Sequence, residues 1–146
     1  MFDDLYQEII LDHNRRPRNC RVIEDTPHHA EGHNPLCGDE VKIFLKMEDD
    51  RVVDVAFQGN GCAISTASAS LMTEALRGKT LEEAHELFGA FHEMVKGQNP
   101  PESKDLGKLQ VFSGLSDYPM RVKCATLCWH TLQAAIEKRK EVVSVE

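Results

Sequence analysis

Phe2, Leu5, Tyr6, Ile9 and Ile10 recur at helical spacing, and Asp3 and Asp4 sit where a helix start favours negative charge. This pattern predicts an amphipathic first helix ending before Pro17. Arg18 to Pro27 reads as a connection with Asn19 and Asp25 as turn formers, and His28 to Asn34 as a short strand. Val41, Ile43, Leu45 and Met47 then alternate with Lys42, Phe44 and Lys46; Glu48-Asp49-Asp50 separates them from Val53, Val55 and Phe57. That is a β-hairpin with one apolar face, which needs a cover. Helices supply it. Ala63 to Arg77 is rich in Ala, Ser, Leu and Met and stops at Gly78, and Thr80-Leu81-Glu82-Glu83 fits a capping box opening a helix that ends near Gly97. Asn99-Pro100-Pro101 breaks the chain, and Leu106 to Phe112 gives a short helical stretch before Ser113-Gly114. From Pro119 a final helix carries Ala125, Cys128, Trp129, Leu132, Ala135 and Ile136 as its apolar stripe. The expected fold is α+β, a small antiparallel sheet of about three strands covered on one face by helices, in one domain over residues 1–146.

Composition narrows the function. The 146 residues are 41% hydrophobic, enough to bury a core without disulfide staples. A formal net charge of −7 argues against nucleic acid, because phosphate binding relies on clustered Lys and Arg. Arg15-Arg16-Pro17-Arg18 and Lys138-Arg139-Lys140 are short basic runs that read as solvated faces or a docking fringe for a partner. No apolar stretch approaches the roughly 18 residues of a membrane span, and Met1-Phe2-Asp3-Asp4 lacks the basic start of a leader. The expectation is a cytoplasmic protein. There Cys20, Cys37, Cys62, Cys124 and Cys128 stay reduced, and metal binding or thiol chemistry is favoured over disulfides.

The chemistry concentrates at Pro35-Leu36-Cys37-Gly38-Asp39, a thiol and a carboxylate two positions apart across a glycine. In extended backbone such residues project to one side, so a soft and a hard donor converge on one ion. This segment is read as a zinc ligand pair with Cys37 as the reactive atom. Cys62, after Gly59-Asn60-Gly61, falls at a helix N-terminus, where free N–H groups stabilise a thiolate. Cys124 falls in the first turns of the last helix between Arg121, Lys123 and the apolar stripe, and the two cations are expected to depress its pKa. Three thiolates and Asp39 make the four donors of a tetrahedral zinc ion. His28, His29 and His33 crowd the approach to Cys37 as alternative fourth ligands, or as groups just behind the ligands. His85 and His92 are two helical turns apart, too far for one ion. Cys20 and Cys128 read as small packed residues.

Asn34-Pro35-Leu36-Cys37-Gly38-Asp39, Gly59-Asn60-Gly61-Cys62-Ala63-Ile64-Ser65 and Arg121-Val122-Lys123-Cys124-Ala125 together resemble the U-type iron-sulfur cluster assembly proteins, the IscU, SufU and NifU N-terminal family, over nearly the whole chain. Lys123, where the IscU-like branch usually has histidine, and the longer stretch from about Pro100 to Pro119 look like the SufU branch. The resemblance implies a zinc-dependent sulfurtransferase that accepts persulfide sulfur from a SufS-type cysteine desulfurase and passes it to downstream iron-sulfur assembly proteins. It implies Cys37, Asp39, Cys62 and Cys124 as zinc ligands, Cys37 as the sulfur acceptor released when a desulfurase residue takes its place, and Arg121 as a residue needed for activity. Cys128 stands where the family commonly has a small residue without a thiol.

Two other readings use the same residues. One is a scaffold on which an iron-sulfur cluster is built on the three cysteines. The other is a binding module whose zinc is structural, against which the dispersed, carboxylate-containing donor set argues.

Overall fold

The alternation through residues 39–60 folds as expected into an antiparallel hairpin, and the helices pack against it. The computed structural model describes residues 2–35, 37–97, 106–113, 115–138 and 142–144. Leu36, the Asn99-Pro100-Pro101 break, Gly114, the Arg139-Lys140 part of the basic run and the side chains of Phe2, Leu5 and Tyr6 lie outside the described residues. The elements are α1 (Phe2–Arg15), β1 (His28–Asn34), β2 (Asp39–Glu48), β3 (Arg51–Asn60), α2 (Ala63–Leu76), α3 (Leu81–Val95), 3-10 helices at Gly107–Phe112 and Leu115–Asp117, α4 (Pro119–Ile136) and β4 (Val143–Ser144).

The sheet runs β3-β2-β1-β4, with β1/β2 and β2/β3 antiparallel. Asp49 and Asp50 turn the hairpin with φ of 49° and 63°, the left-handed angles that match the twist of a two-residue loop. β4 is one strand more than the pattern predicts. It pairs parallel to β1 through Gly32↔Val143 and His33↔Ser144, and two residues are too few to leave an alternation in the sequence.

Ala30, Val41, Ile43, Leu45, Val55 and Phe57 make the covered face and are all buried. α4 lies across β1 and β2, α2 lies against β3, and α1 packs on α2. The approach of α4 is close: a Cβ at Gly32 would stand 2.0 Å from Thr131 Oγ1. Beneath α3, Trp129 is fully buried and stacks on Phe91 at 4.7 Å and on Phe88 at 5.9 Å. Truncating such a ring costs about 3–5 kcal/mol, so α3 locks the same helix that bears Cys124. Thr80 and Glu83 form the reciprocal capping box that starts α3.

The connection after α1 is fixed by Asn19 and Asp25 in left-handed turns and by Arg21 and Arg77, which converge on Asp54 at 2.6 and 2.9 Å. Cys20 is exposed, contrary to the packed role expected. Its residue bridges Phe57 along the outer edge of β3, outside the face that the helices cover. Cys128, by contrast, is the core residue expected, 1% exposed, with Sγ 3.4 Å from Ser68 Oγ. Burial pushes its thiol up to about 12.

His13 is a residue the periodicity of α1 does not single out, and it is 1% exposed. Its Nδ1 hydrogen-bonds Ser70 Oγ at 2.6 Å and its Nε2 lies 3.6 Å from Glu74 Oε1, so it fastens α1 to α2. Burial, and then the nearby Arg18 guanidinium, lower its pKa. Because the unfolded chain binds the proton more readily, stability is complete above the unfolded histidine value of about 6.5 and falls as pH drops below it. Denaturant melts between pH 7.5 and 5 are expected to show this loss, and His13→Gln is expected to flatten the slope; an unchanged slope in the variant would assign the acid loss elsewhere.

Candidate metal centre

Three chain segments meet at one end of the sheet. The first is the turn between β1 and β2. Asn34 and Asp39 face each other across that ladder, and the Asn34 carbonyl accepts hydrogen bonds from the N–H groups of Gly38 at 2.8 Å and Cys37 at 3.3 Å. Gly38 has φ +75°, a left-handed angle with no strain for glycine, which reverses the chain between Cys37 and Asp39. The two donors are therefore brought together by a turn and not by the extended backbone expected. Cys37 is left exposed on the turn, and Asp39, the first residue of β2, is fully buried.

The second segment is the junction of β3 and α2. Cys62 is the N-cap of α2, in extended conformation, and the Ser65 N–H donates to its Sγ at 3.4 Å. The Cys62 N–H donates to Asp39 Oδ1 at 2.9 Å. Gly61 makes this contact possible, since a Cβ there would meet Asp39 Oδ1 at 2.7 Å. The third segment is α4, whose Cys124 is buried.

The donor atoms of Cys37, Asp39 and Cys124 all lie within 4.8 Å of one another, and the two sulfurs are 3.6 Å apart. The Cys62 thiol lies on the Asp39 side, with Sγ 3.9 Å from Oδ2, but it stands outside the group of three whose donor atoms all meet within 4.8 Å. Four tetrahedral donors on zinc, with Zn–S near 2.3 Å and Zn–O near 2.0 Å, sit roughly 3.5 to 3.8 Å from each other. The 3.6 Å between the Cys37 and Cys124 sulfurs matches that demand, and Cys62 is the fourth donor within reach of it. The electrostatics fit it too: Asp39 is a fully buried carboxylate with no basic partner among the described residues, set among thiols. A buried anion of this kind calls for a cation.

The hydrogen bond from Cys124, followed by the Ser65 and Ile64 N–H groups at the start of α2, lowers the Cys62 pKa to about 6, against the opposing effects of burial and the Asp39 charge. The Cys124 thiol is instead raised, by its hydrogen bond to Cys62, by burial, and by Asp39 and Cys37. This reverses the depression expected from Arg121 and Lys123. The Arg121 guanidinium lies over the exposed Tyr118 ring, 4.7 Å from its centre, and Cys124 faces inward to anionic neighbours.

The remaining candidates stay apart. His28 Nδ1 is 3.2 Å from the Ala135 carbonyl near the far end of α4, His29 is exposed, and His33 is on the strand face opposite Asn34. None joins the donor cluster. Cys128 is directed at Ser68 and the Ala125 carbonyl and does not join it either. His92 is half-buried, stacked on Phe88 and edge-on to His130 at 5.7 Å, while His85 is exposed. Asn34, fully buried with Nδ2 4.0 Å from Cys124 Sγ, is the group behind the donors that sequence reasoning passed over. Its position directly before Pro35, at the end of a strand, is a faint signal at best.

Among known proteins, the chain is 41% identical over 138 residues to the zinc-dependent sulfurtransferase SufU of Bacillus subtilis, covering 94% of this chain and 93% of that protein. It is 42% identical over 134 residues to the iron-sulfur cluster assembly scaffold protein IscU of Streptococcus pyogenes, covering 92% and 84%. Its fold matches the crystal structure of a putative scaffold protein for the SUF system from Fervidobacterium islandicum, with TM-score 0.83 and 40% identity over 88% of this chain and 94% of that one. The N-terminal NifU-like protein of Brucella abortus superposes with the same TM-score at 27% identity, over 93% of this chain and 94% of that one. With residues 5–125 matching the NifU-like N terminal domain, the chain belongs to that family.

Proposed function

We propose that this protein is a zinc-dependent sulfurtransferase of iron-sulfur cluster assembly, taking persulfide sulfur on Cys37 from a SufS-type cysteine desulfurase and handing it to downstream assembly proteins. The observation that carries the reading is the asymmetry of the donors: Cys124 and Asp39 are buried on regular elements and Cys62, though exposed, caps α2, whereas Cys37 sits exposed on a turn pivoting at Gly38. The likeness to the Bacillus SufU supports it. The Streptococcus and Thermotoga relatives named as IscU scaffolds support the other reading, a platform for cluster assembly on the same three cysteines. A carboxylate oxygen set among thiols is a donor combination that zinc accepts.

Cys37, Asp39, Cys62 and Cys124 would hold the zinc, which would keep the thiols ionised and, having no redox chemistry of its own, would not oxidise them. The chain's own residues do the rest. The Cys37 thiolate attacks the outer sulfur of the desulfurase persulfide; a new S–S bond forms on Cys37, the old one breaks, and the electron pair leaves on the desulfurase thiolate. Asp39 and Cys124 stay in place because β2 and α4 hold them. Arg121, exposed beside Tyr118 one turn before Cys124, is placed to meet a partner's acidic or thiolate group.

Persulfide mapping by mass spectrometry, after incubation with desulfurase and cysteine, is expected to find the added sulfur on Cys37, and Cys37→Ser is expected to abolish stimulation of desulfurase turnover. Label confined to Cys62 or Cys128 would sink the acceptor assignment. A stable cluster transferable to an apo-protein, with no effect on desulfurase turnover, would favour the scaffold reading.

Because the donors join the β1–β2 turn, the start of α2 and the start of α4, chelation is expected to lower the melting temperature as well as activity. A metal present at a thousand times its Kd contributes about 4 kcal/mol. Equal melting curves for metal-loaded and chelated protein would contradict this.

A further inference from the structure

Asn34 touches two of the three segments of the site, although it is not a donor. Its backbone carbonyl takes the N–H groups of Gly38 and Cys37 and so closes the turn that presents Cys37. It is the cross-strand partner of Asp39. Its side-chain Nδ2 points at Cys124 Sγ from 4.0 Å, across 90 positions of sequence. The amide is fully buried in a place where an apolar residue would avoid the cost of desolvation.

We infer that Asn34 is a positioning residue that anchors the Cys124 sulfur through an N–H···S hydrogen bond, so that Cys124 stays a fixed donor while Cys37 is the thiol that leaves. The inference rests on the metal-bound sulfurtransferase reading above. A thiolate has several lone pairs, and one bound to a metal still accepts hydrogen bonds. A donated N–H withdraws electron density from the sulfur, orients it, and compensates part of the charge crowded there by Asp39, Cys37 and Cys62. Cys37 is exposed on its turn, and the Asn34 contact reaching it is backbone to backbone, from carbonyl to N–H. One residue thus treats the two thiols differently, holding one by its sulfur and the other by its backbone. That difference supplies a physical reason why sulfur chemistry would fall on Cys37 and not on Cys124.

Asn34→Leu keeps the shape and both backbone hydrogen bonds and deletes the N–H donor. Measured on the protein alone, by competition with a chromophoric chelator, its zinc affinity is expected to fall about 10–100-fold. In the cobalt-substituted protein, the sulfur-to-cobalt charge-transfer band is expected to move to lower energy, a change that loosened packing alone would broaden without shifting. The wild-type protein gives an independent arm that needs no folded variant. With 113Cd bound, the Asn34 side-chain amide proton is expected to couple to the cadmium through the sulfur, and to resonate downfield of an unbonded amide. An uncoupled Asn34 amide, or an Asn34→Leu protein with unaltered affinity and band position, overturns the inference and leaves the sulfurtransferase reading standing. Wild-type protein that takes up neither zinc nor cobalt at the cysteines overturns both.

Discussion

Burial of the Asp39 carboxylate is the constraint on which the rest of the site depends. A charge with no accessible surface must be compensated, and within the protein the Cys62 N–H is the direct hydrogen-bond donor seen at its Oδ1. This contact fixes the distance between the first residue of β2 and the cap of α2. Because β2 and β3 are paired through Glu40↔Asn60, the loop between β3 and α2 has one residue, Gly61, in which to bring Cys62 over the carboxylate. The thiols collect around a negative charge, an arrangement that is unfavourable by itself and favourable around a cation.

The fold delivers this geometry by leverage. α4 is held to the sheet by the close approach at Gly32 and to α3 by the Phe91–Trp129 stack, so the position of Cys124 is set by contacts well away from it. α2 is held from the other side by His13 and Ser70. The donors on regular elements are therefore each fixed by packing, whereas Cys37 stands on a turn held by two backbone hydrogen bonds to the Asn34 carbonyl.

Much of this was legible in the chain. Period-two alternation located β2 and β3, Thr80 and Glu83 located the start of α3, and the cysteines at element ends pointed to a common site because the ends of covered strands and helices gather at sheet edges. What escaped detection depended on three dimensions. The two residues of β4 are too short for any period. His13 lies on a helix whose apolar spacing describes the stripe around it. The direction of the Cys124 pKa was misread because Arg121 and Lys123 are neighbours in sequence, whereas Asp39, Cys37 and Cys62 are neighbours in space. Cys20 reads as a core residue by type and is exposed because it pairs at the outer edge of β3.

The hydrogen that stands for a side chain at Gly61 has a consequence for how such proteins diverge. With the carboxylate in place, no larger group fits at position 61 without displacing Asp39 Oδ1. Positions 39 and 61 therefore constrain one another: a side chain at 61 and the Asp39 carboxylate compete for one space, so the site keeps its oxygen donor only while 61 carries none.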